Sequence, residues 1–365
     1  MKKILFIILF VVPFIFSFQS ETILLQQVAG DSVHYSREKH FKDIRQLTFG
    51  ADNAEAYWSF DGKKISFQSN NKEWGSNCDQ IFYMPIEGGP DLSKGEKPKL
   101  ISTGMGRTTC SFFMPNGKSI LYASTHLGGK ECPKDVERKP GGKYLWPVYD
   151  TYDIFVADLD GKIIKQLTNS PGYDAEATIS PKKDKIVFTS TRNGDLDLYV
   201  MDINGKNVKQ ITSEIGYDGG AFFSPDGKKI VFRASRFKTD EEKKEYLDYL
   251  KQGLVAPTAM EIFTCNVDGS ELKQITHLGK ANWAPFYHPS GKKIMFSSNH
   301  KGKRGFEFNL FMMNEDGSGL EQITYDKVFD SFPMFSPDGR KIIFSSNRNN
   351  GGTRNTNLFV ATWVD

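Results

Sequence analysis

The chain carries almost no net charge: 47 Lys and Arg stand against 44 Asp and Glu, a formal +3 over 365 residues. That leaves no basic field of the kind a nucleic-acid partner needs. Long apolar runs are also scarce. Beyond the first one, no stretch reaches the ~20 residues that a spanning helix requires. No G-x-S-x-G segment occurs, so the nucleophile elbow of the hydrolases is missing. Cysteines number four, at 78, 110, 132 and 265. None directly follows the first apolar run, which argues against a lipid anchor on an amino-terminal Cys.

That first run is ILFIILFVVPFIF, preceded by Lys2 and Lys3. A basic start, a short apolar centre and Ser17 or Ser20 as the small residue before cleavage read as a secretory signal. The expected layout is a signal peptide over 1–20, a linker over 21–42 and one folded domain over 43–365. The product is then periplasmic or secreted, without stable membrane insertion after signal removal. An exported chain meets an oxidising compartment, which permits a disulfide among Cys78, Cys110 and Cys132 without fixing its pairing.

From Asp43 onward the chain repeats. FFSPDGKKIVF (222–232) has five counterparts: YWSFDGKKISF (57–67), FFMPNGKSILY (112–122), TISPKKDKIVF (178–188), FYHPSGKKIMF (286–296) and MFSPDGRKIIF (334–344). Pro and Asp-Gly between two β-prone runs make a hairpin turn. A third strand follows each hairpin, as in LDLYVMDINGK (196–206), and a short fourth one follows that, as in NVKQITS (207–213). Such arrays of four-stranded units close radially. The expectation is an all-β, six-bladed β-propeller. The first blade is preceded by a lone fourth strand, and the last ends on its third. Ile44–Thr48 is therefore expected beside Asn357–Thr362, completing the last blade and leaving no bare edge. Loops leading into and out of each hairpin share one face. Two long insertions, 123–151 and 233–259, fall there. The second opens with Thr239-x-x-Glu242, a capping box, and reads as a short helix with Leu247, Leu250 and Leu254 on one side.

With QLT, then D-x-x-x-x-FSPDGKKIxFxSxR, then LYVMDxDG in view (residues 210–232 and 332–348), the chain resembles the WD-like propeller repeats of TolB-type periplasmic proteins. The resemblance spans about residues 43–365 and concerns the propeller, not the α/β domain that precedes it in TolB. It implies an exported, monomeric scaffold for an envelope protein or peptide.

The six repeats control one another, so what one blade alone carries is the better functional candidate. Four residues before each hairpin stand Asn53, Thr108, Asp174, Asp218, Asn282 and Asp330; four residues after it stand Asn71, His126, Arg192, Arg236, His300 and Arg348. Asp occurs only where Arg does. Asp174–Arg192, Asp218–Arg236 and Asp330–Arg348 therefore read as structural clamps. A calcium ion held by a carboxylate ring is the alternative, but the Arg partners would compete with it. No cofactor or metal is expected. Asp195 and Asp197 read as a solvated turn.

The symmetry-breaking residues are Glu55, Arg107, Glu176 and Arg233, all expected at the loop-face mouth of the channel. Trp283 joins them as a surface for stacking, as do Trp74 and Trp146 in other loop-face segments. Charges of both signs there suit a polar ligand or a peptide end, or simply satisfy each other as buried pairs. Two functions stay open: a loop-face scaffold for an envelope protein or peptide, and an enzyme or binding protein for a glycan or other polar small molecule, with Glu55 and Glu176 as acid–base carboxylates.

Overall fold

The computed structural model describes residues 33–137 and 141–365; the expected signal segment lies outside the described residues. Among the described residues the strands form six four-stranded antiparallel sheets and one two-stranded ribbon. The sheets are the blades of a six-bladed propeller. In blade one the strands, A to D from the axis outward, are Asn53–Trp58, Lys64–Ser69, Gln80–Pro85 and Lys99–Leu100. Strands A and B thus reach beyond the sequence motif at both ends, so the Asp and Asn positions ahead of each hairpin begin strand A.

Local chemistry explains the repeats. In blade four Ser224 Oγ donates to Asp226 at 2.6 Å, and Asp226 accepts the Lys228 N–H at 3.1 Å. Gly227 then takes φ 69°, as the turn requires. The Thr of each QLT run also has a task. Its hydroxyl accepts a strand C amide, for example Leu198 N–H on Thr212 at 2.8 Å and Leu310 N–H on Thr324 at 2.9 Å. That anchors a fourth strand only two residues long. The Gly ending strand C meets the neighbouring blade: a Cβ on Gly269 would stand 2.3 Å from the Ile211 carbonyl oxygen. Between blades the core is aromatic and aliphatic. Trp58 is buried, and its indole N–H donates to the Met334 carbonyl at 3.0 Å.

Closure runs through Phe41–Gln46, which pairs antiparallel with Asn357–Trp363 (Phe41 opposite Trp363, Gln46 opposite Phe359). Leu47 continues the pairing, its N–H donating to the Leu358 carbonyl at 2.8 Å. The strand begins three residues earlier than the sequence suggested. Phe41 is the reason, being an apolar side chain stacked on Phe344 within the last blade. Val33–His40 is no free linker either, since Glu38 is buried against Arg348.

Candidate functional site: a roofed chamber at the channel mouth

Every strand A carries one register break, and at each break one residue is left-handed. These are Glu55 (φ 54°), Cys110 (45°), Glu176 (56°), Gly220 (59°), Ala284 (48°) and Phe332 (53°). Five of the six are not glycine, and each costs roughly 1–2 kcal/mol of backbone strain. Such bulges re-aim side chains next to functional sites. All six residues line one chamber on the axis, about 210 Å³ in volume. Blades one to three supply Glu, Cys and Glu; blades four to six supply Gly, Ala and Phe. The ring is therefore polar on one half and mainly apolar on the other.

Glu176 is saturated. Its Oε1 accepts from Arg233 Nη2 at 2.5 Å and from the Tyr217 hydroxyl at 2.6 Å. Its Oε2 accepts from Thr189 Oγ1 at 2.9 Å and from the Gly220 N–H at 2.8 Å. Burial opposes ionisation, but Arg233 and these donors outweigh it and hold the carboxyl below its ordinary value. Gly220 makes room for this pair, because a Cβ there would lie 1.8 Å from Arg233 Nη1. Arg233 Nε is buried without a hydrogen-bond partner among the described residues.

Glu55 differs. Both its bonds fall on Oε2, from the Tyr57 hydroxyl at 2.9 Å and from Cys110 Sγ at 3.1 Å. Among the described residues it forms no ion pair. Burial pushes its carboxyl up, and the same burial pushes the Cys110 thiol well up.

The insertions roof the chamber. Trp146–Pro147 from the first pairs with Leu254–Val255 from the second. Leu254 thus leaves the expected helical face for a strand; the helix is Asp240–Leu250, capped by Thr239, whose Oγ1 accepts the Glu242 N–H at 3.2 Å. Tyr246 of that helix donates to Asp195, fastening the roof to blade three. Asp197 is buried at the start of strand C, where Gln210 and Thr212 donate to it, so of the expected solvated turn only the tip, Asn193 and Gly194, is exposed. A disulfide joins Cys78 to Cys132 and ties the first insertion to blade one; Cys110 and Cys265 are unpaired.

The five candidates, Glu55, Arg107, Glu176, Arg233 and Trp283, all line this one chamber. Their surroundings vary. Arg107 sits at the rim with Asp79 at 3.3 Å and Asp135 at 2.6 Å. Trp283 is a wall rather than an open platform: it stacks on Phe308 with centroids 4.2 Å apart, and its N–H donates to the Pro257 carbonyl at 2.8 Å. Trp146, expected as a loop-face stacking surface, lines the chamber too. Sequence reasoning missed Val255, Tyr57 and Tyr217. Val255 lies in an insertion that has no counterpart among the repeats. The two tyrosines resembled ordinary scaffold aromatics.

Each Asp–Arg pair forms, at 2.9 Å for Asp174–Arg192, 2.5 Å for Asp218–Arg236 and 3.0 Å for Asp330–Arg348. In the Arg-less blades two and five, His126 and His300 fill the space, packed on Phe155 and Phe311. Among the described residues no group of three or more His, Cys, Asp or Glu is placed to hold a metal, and no helix is long and apolar enough to cross a membrane.

Asp197 yields a pH prediction. Burial first, then Asp195 and Asp218, push its carboxyl up to about 7. Between its unfolded value and 7 the folded chain holds more protons than the unfolded one. Stability therefore falls as pH rises through that window and levels off above it. Asp197→Asn keeps an acceptor for Gln210. It should gain on the order of 2–4 kcal/mol over wild type at pH 8 and nothing at pH 4. Thermal melts from pH 4 to 8 read this; parallel curves would refute it.

Residues 140–242 match the family model of the TolB beta propeller domain. Among solved structures, one assigned as TolB from Agrobacterium tumefaciens is 20% identical, with a TM-score of 0.57, over 86% of this chain and 91% of that one. TolB from Acinetobacter baumannii is 19% identical, with a TM-score of 0.54, over 82% of this chain and 64% of that one. The tricorn protease is 16% identical, with a TM-score of 0.50, over 80% of this chain but 24% of that one. At these identities the likeness is one of fold. No curated protein matches the chain in sequence.

Proposed function

We propose that this TolB-like propeller is an exported binding protein that holds a small polar ligand in the roofed chamber. One observation carries the reading: the residues that break the six-fold repeat converge on a single cavity, beneath a roof fastened by a disulfide. Pockets of this kind, mostly apolar with a few convergent polar groups, are the usual form of a ligand site. Export is supported by the amino-terminal leader pattern and by the Cys78–Cys132 bond, which belongs to an oxidising compartment.

Binding is favoured over glycoside chemistry. A carboxylate pair needs both members free for acid and base roles, and both oxygens of Glu176 are occupied by donors. Thermal shift with a panel of sugars, amines, amino acids and carboxylates tests the reading. A ligand that raises the melting temperature of wild type, and fails to do so in Trp146→Ala, supports it. No response across the panel would sink it.

A second reading, docking of an envelope protein or peptide on the loop face, rests on a different observation. Leu127, Phe306 and Phe49 are large apolar side chains exposed on that face, Leu127 at 62%. Capture from an envelope extract by wild type, lost in Leu127→Asp/Phe306→Asp, would favour it.

A further inference from the structure

The chamber's charges are unevenly paired. Arg233 is neutralised by Glu176, and Arg107 lies between Asp79 and Asp135. Glu55 forms no ion pair among the described residues, and its Oε1 accepts no hydrogen bond there. An anion entering the chamber would meet more carboxylates than guanidinium groups. The remaining walls are largely aromatic: Tyr57, Trp146, Tyr173, Tyr217, Phe222 and Phe332. An unpaired carboxyl inside an aromatic box is the chemistry that holds ammonium groups. Two polar donors are also unspent, the Nε–H groups of Arg107 at the rim and of Arg233 deeper in. Arg233 is 7% exposed, and its Nε–H lacks a partner, so an oxygen acceptor on the ligand would satisfy it.

Resting on the ligand-chamber reading, we propose that the ligand is a small organic ammonium, its cation against Glu55 and an oxygen acceptor directed to Arg233. The class is that of amino alcohols, betaines and small amino acids. A divalent metal fits less well. It needs several free oxygen ligands, whereas Glu176 is saturated and the partners of Glu55 are a hydroxyl and a thiol that donate to it. Binding couples to a proton. Burial raises the Glu55 carboxyl, and an ammonium favours its ionised form. The charged or titratable groups facing Glu55 are Tyr57 and Cys110, both pushed well up, Glu176, held down, and Arg233, cationic throughout. Glu55 is thus the group among them whose charge responds to a bound cation.

The experiment is calorimetric titration of the full mature chain with choline, ethanolamine and glycine betaine. Glycerol, acetate and calcium chloride are the counter-probes, and a pH-stat counts protons. Expected are saturable binding of at least one ammonium probe, with proton release that grows as pH is lowered. Affinity should fall tenfold or more in Glu55→Gln. If Glu55→Gln fails to fold, the wild-type profile decides: affinity must weaken as pH drops and Glu55 protonates, and a flat profile overturns the proposal. Glycerol or acetate binding that Trp146→Ala abolishes, with no ammonium bound, overturns the cation while leaving the chamber reading intact. Calcium binding that depends on Glu55, without ammonium binding, also overturns it. Silence from every probe removes both readings.

Discussion

Arg348→Met should lower stability by about 3–5 kcal/mol, the cost of leaving buried carboxylates without their counter-ion. Arg348 is fully buried, as are Glu38 and Asp330. Its Nη2 donates to Glu38 Oε1 at 2.9 Å and to Asp330 Oδ2 at 3.0 Å; its Nη1 donates to Glu38 Oε2 at 3.0 Å and to the Val33 carbonyl at 3.1 Å. One guanidinium thus joins strand A of the last blade to the segment preceding the closing strand. Removing it strands two acids and releases the seal of the ring. Arg192→Met and Arg236→Met should cost less, because those side chains remain 19% exposed and water can reach what they leave behind. Urea unfolding measures the difference, and hydrogen exchange should show Phe41–Gln46 losing protection first. Glu38→Gln placed on Arg348→Met should restore part of the loss. A deficit below about 1 kcal/mol would mean that the pair contributes little to closure.

The propeller was legible because its determinants are local and repeated six times. Pro, Asp and Gly set each hairpin turn, and alternating apolar residues set each strand. The closing strand was legible as an orphan element at one end matching a vacancy at the other. Its start was not, since Phe41 belongs to the sheet only through its contact with Phe344 in a distant part of the chain. Comparing blades also picked out Glu55 and Glu176 as irregular members of a regular position. It did not show that the position is left-handed in every blade, because four kinds of side chain and one glycine occupy it. Nor did it separate the two acids. Glu176 is neutralised and Glu55 is not because Gly220, one blade away, makes room for Arg233. That depends on a glycine that looks like any other in the sequence. The roof was least legible. Trp146 and Val255 lie 109 residues apart in insertions without repeats, and only their pairing gives either a place.

Cys132→Ser should lower stability by about 4 kcal/mol, the loop-closure value between those for short and long loops, and should open the chamber as well. The bond spans 54 residues, from the loop after the second strand of blade one into the first insertion. That span holds the two outer strands of blade one and the first hairpin of blade two, so the cross-link restricts the unfolded chain over a long segment. In the folded state it holds the stretch that carries Asp135 against Arg107 at the chamber rim. Without the bond that ion pair is a partly exposed contact of small worth, and the first insertion is fixed mainly by the Trp146–Val255 ribbon. The unfolding midpoint should fall by roughly 5–10 °C, and any chamber ligand should dissociate faster. Reducing agent gives an internal control. It should bring wild type down to the level of Cys132→Ser and leave Cys132→Ser unchanged, because Cys110 and Cys265 are already free. Equal midpoints for oxidised wild type and Cys132→Ser would show that the insertion is held by its packing alone, and the roof would then be as firm in a reducing compartment as in an oxidising one.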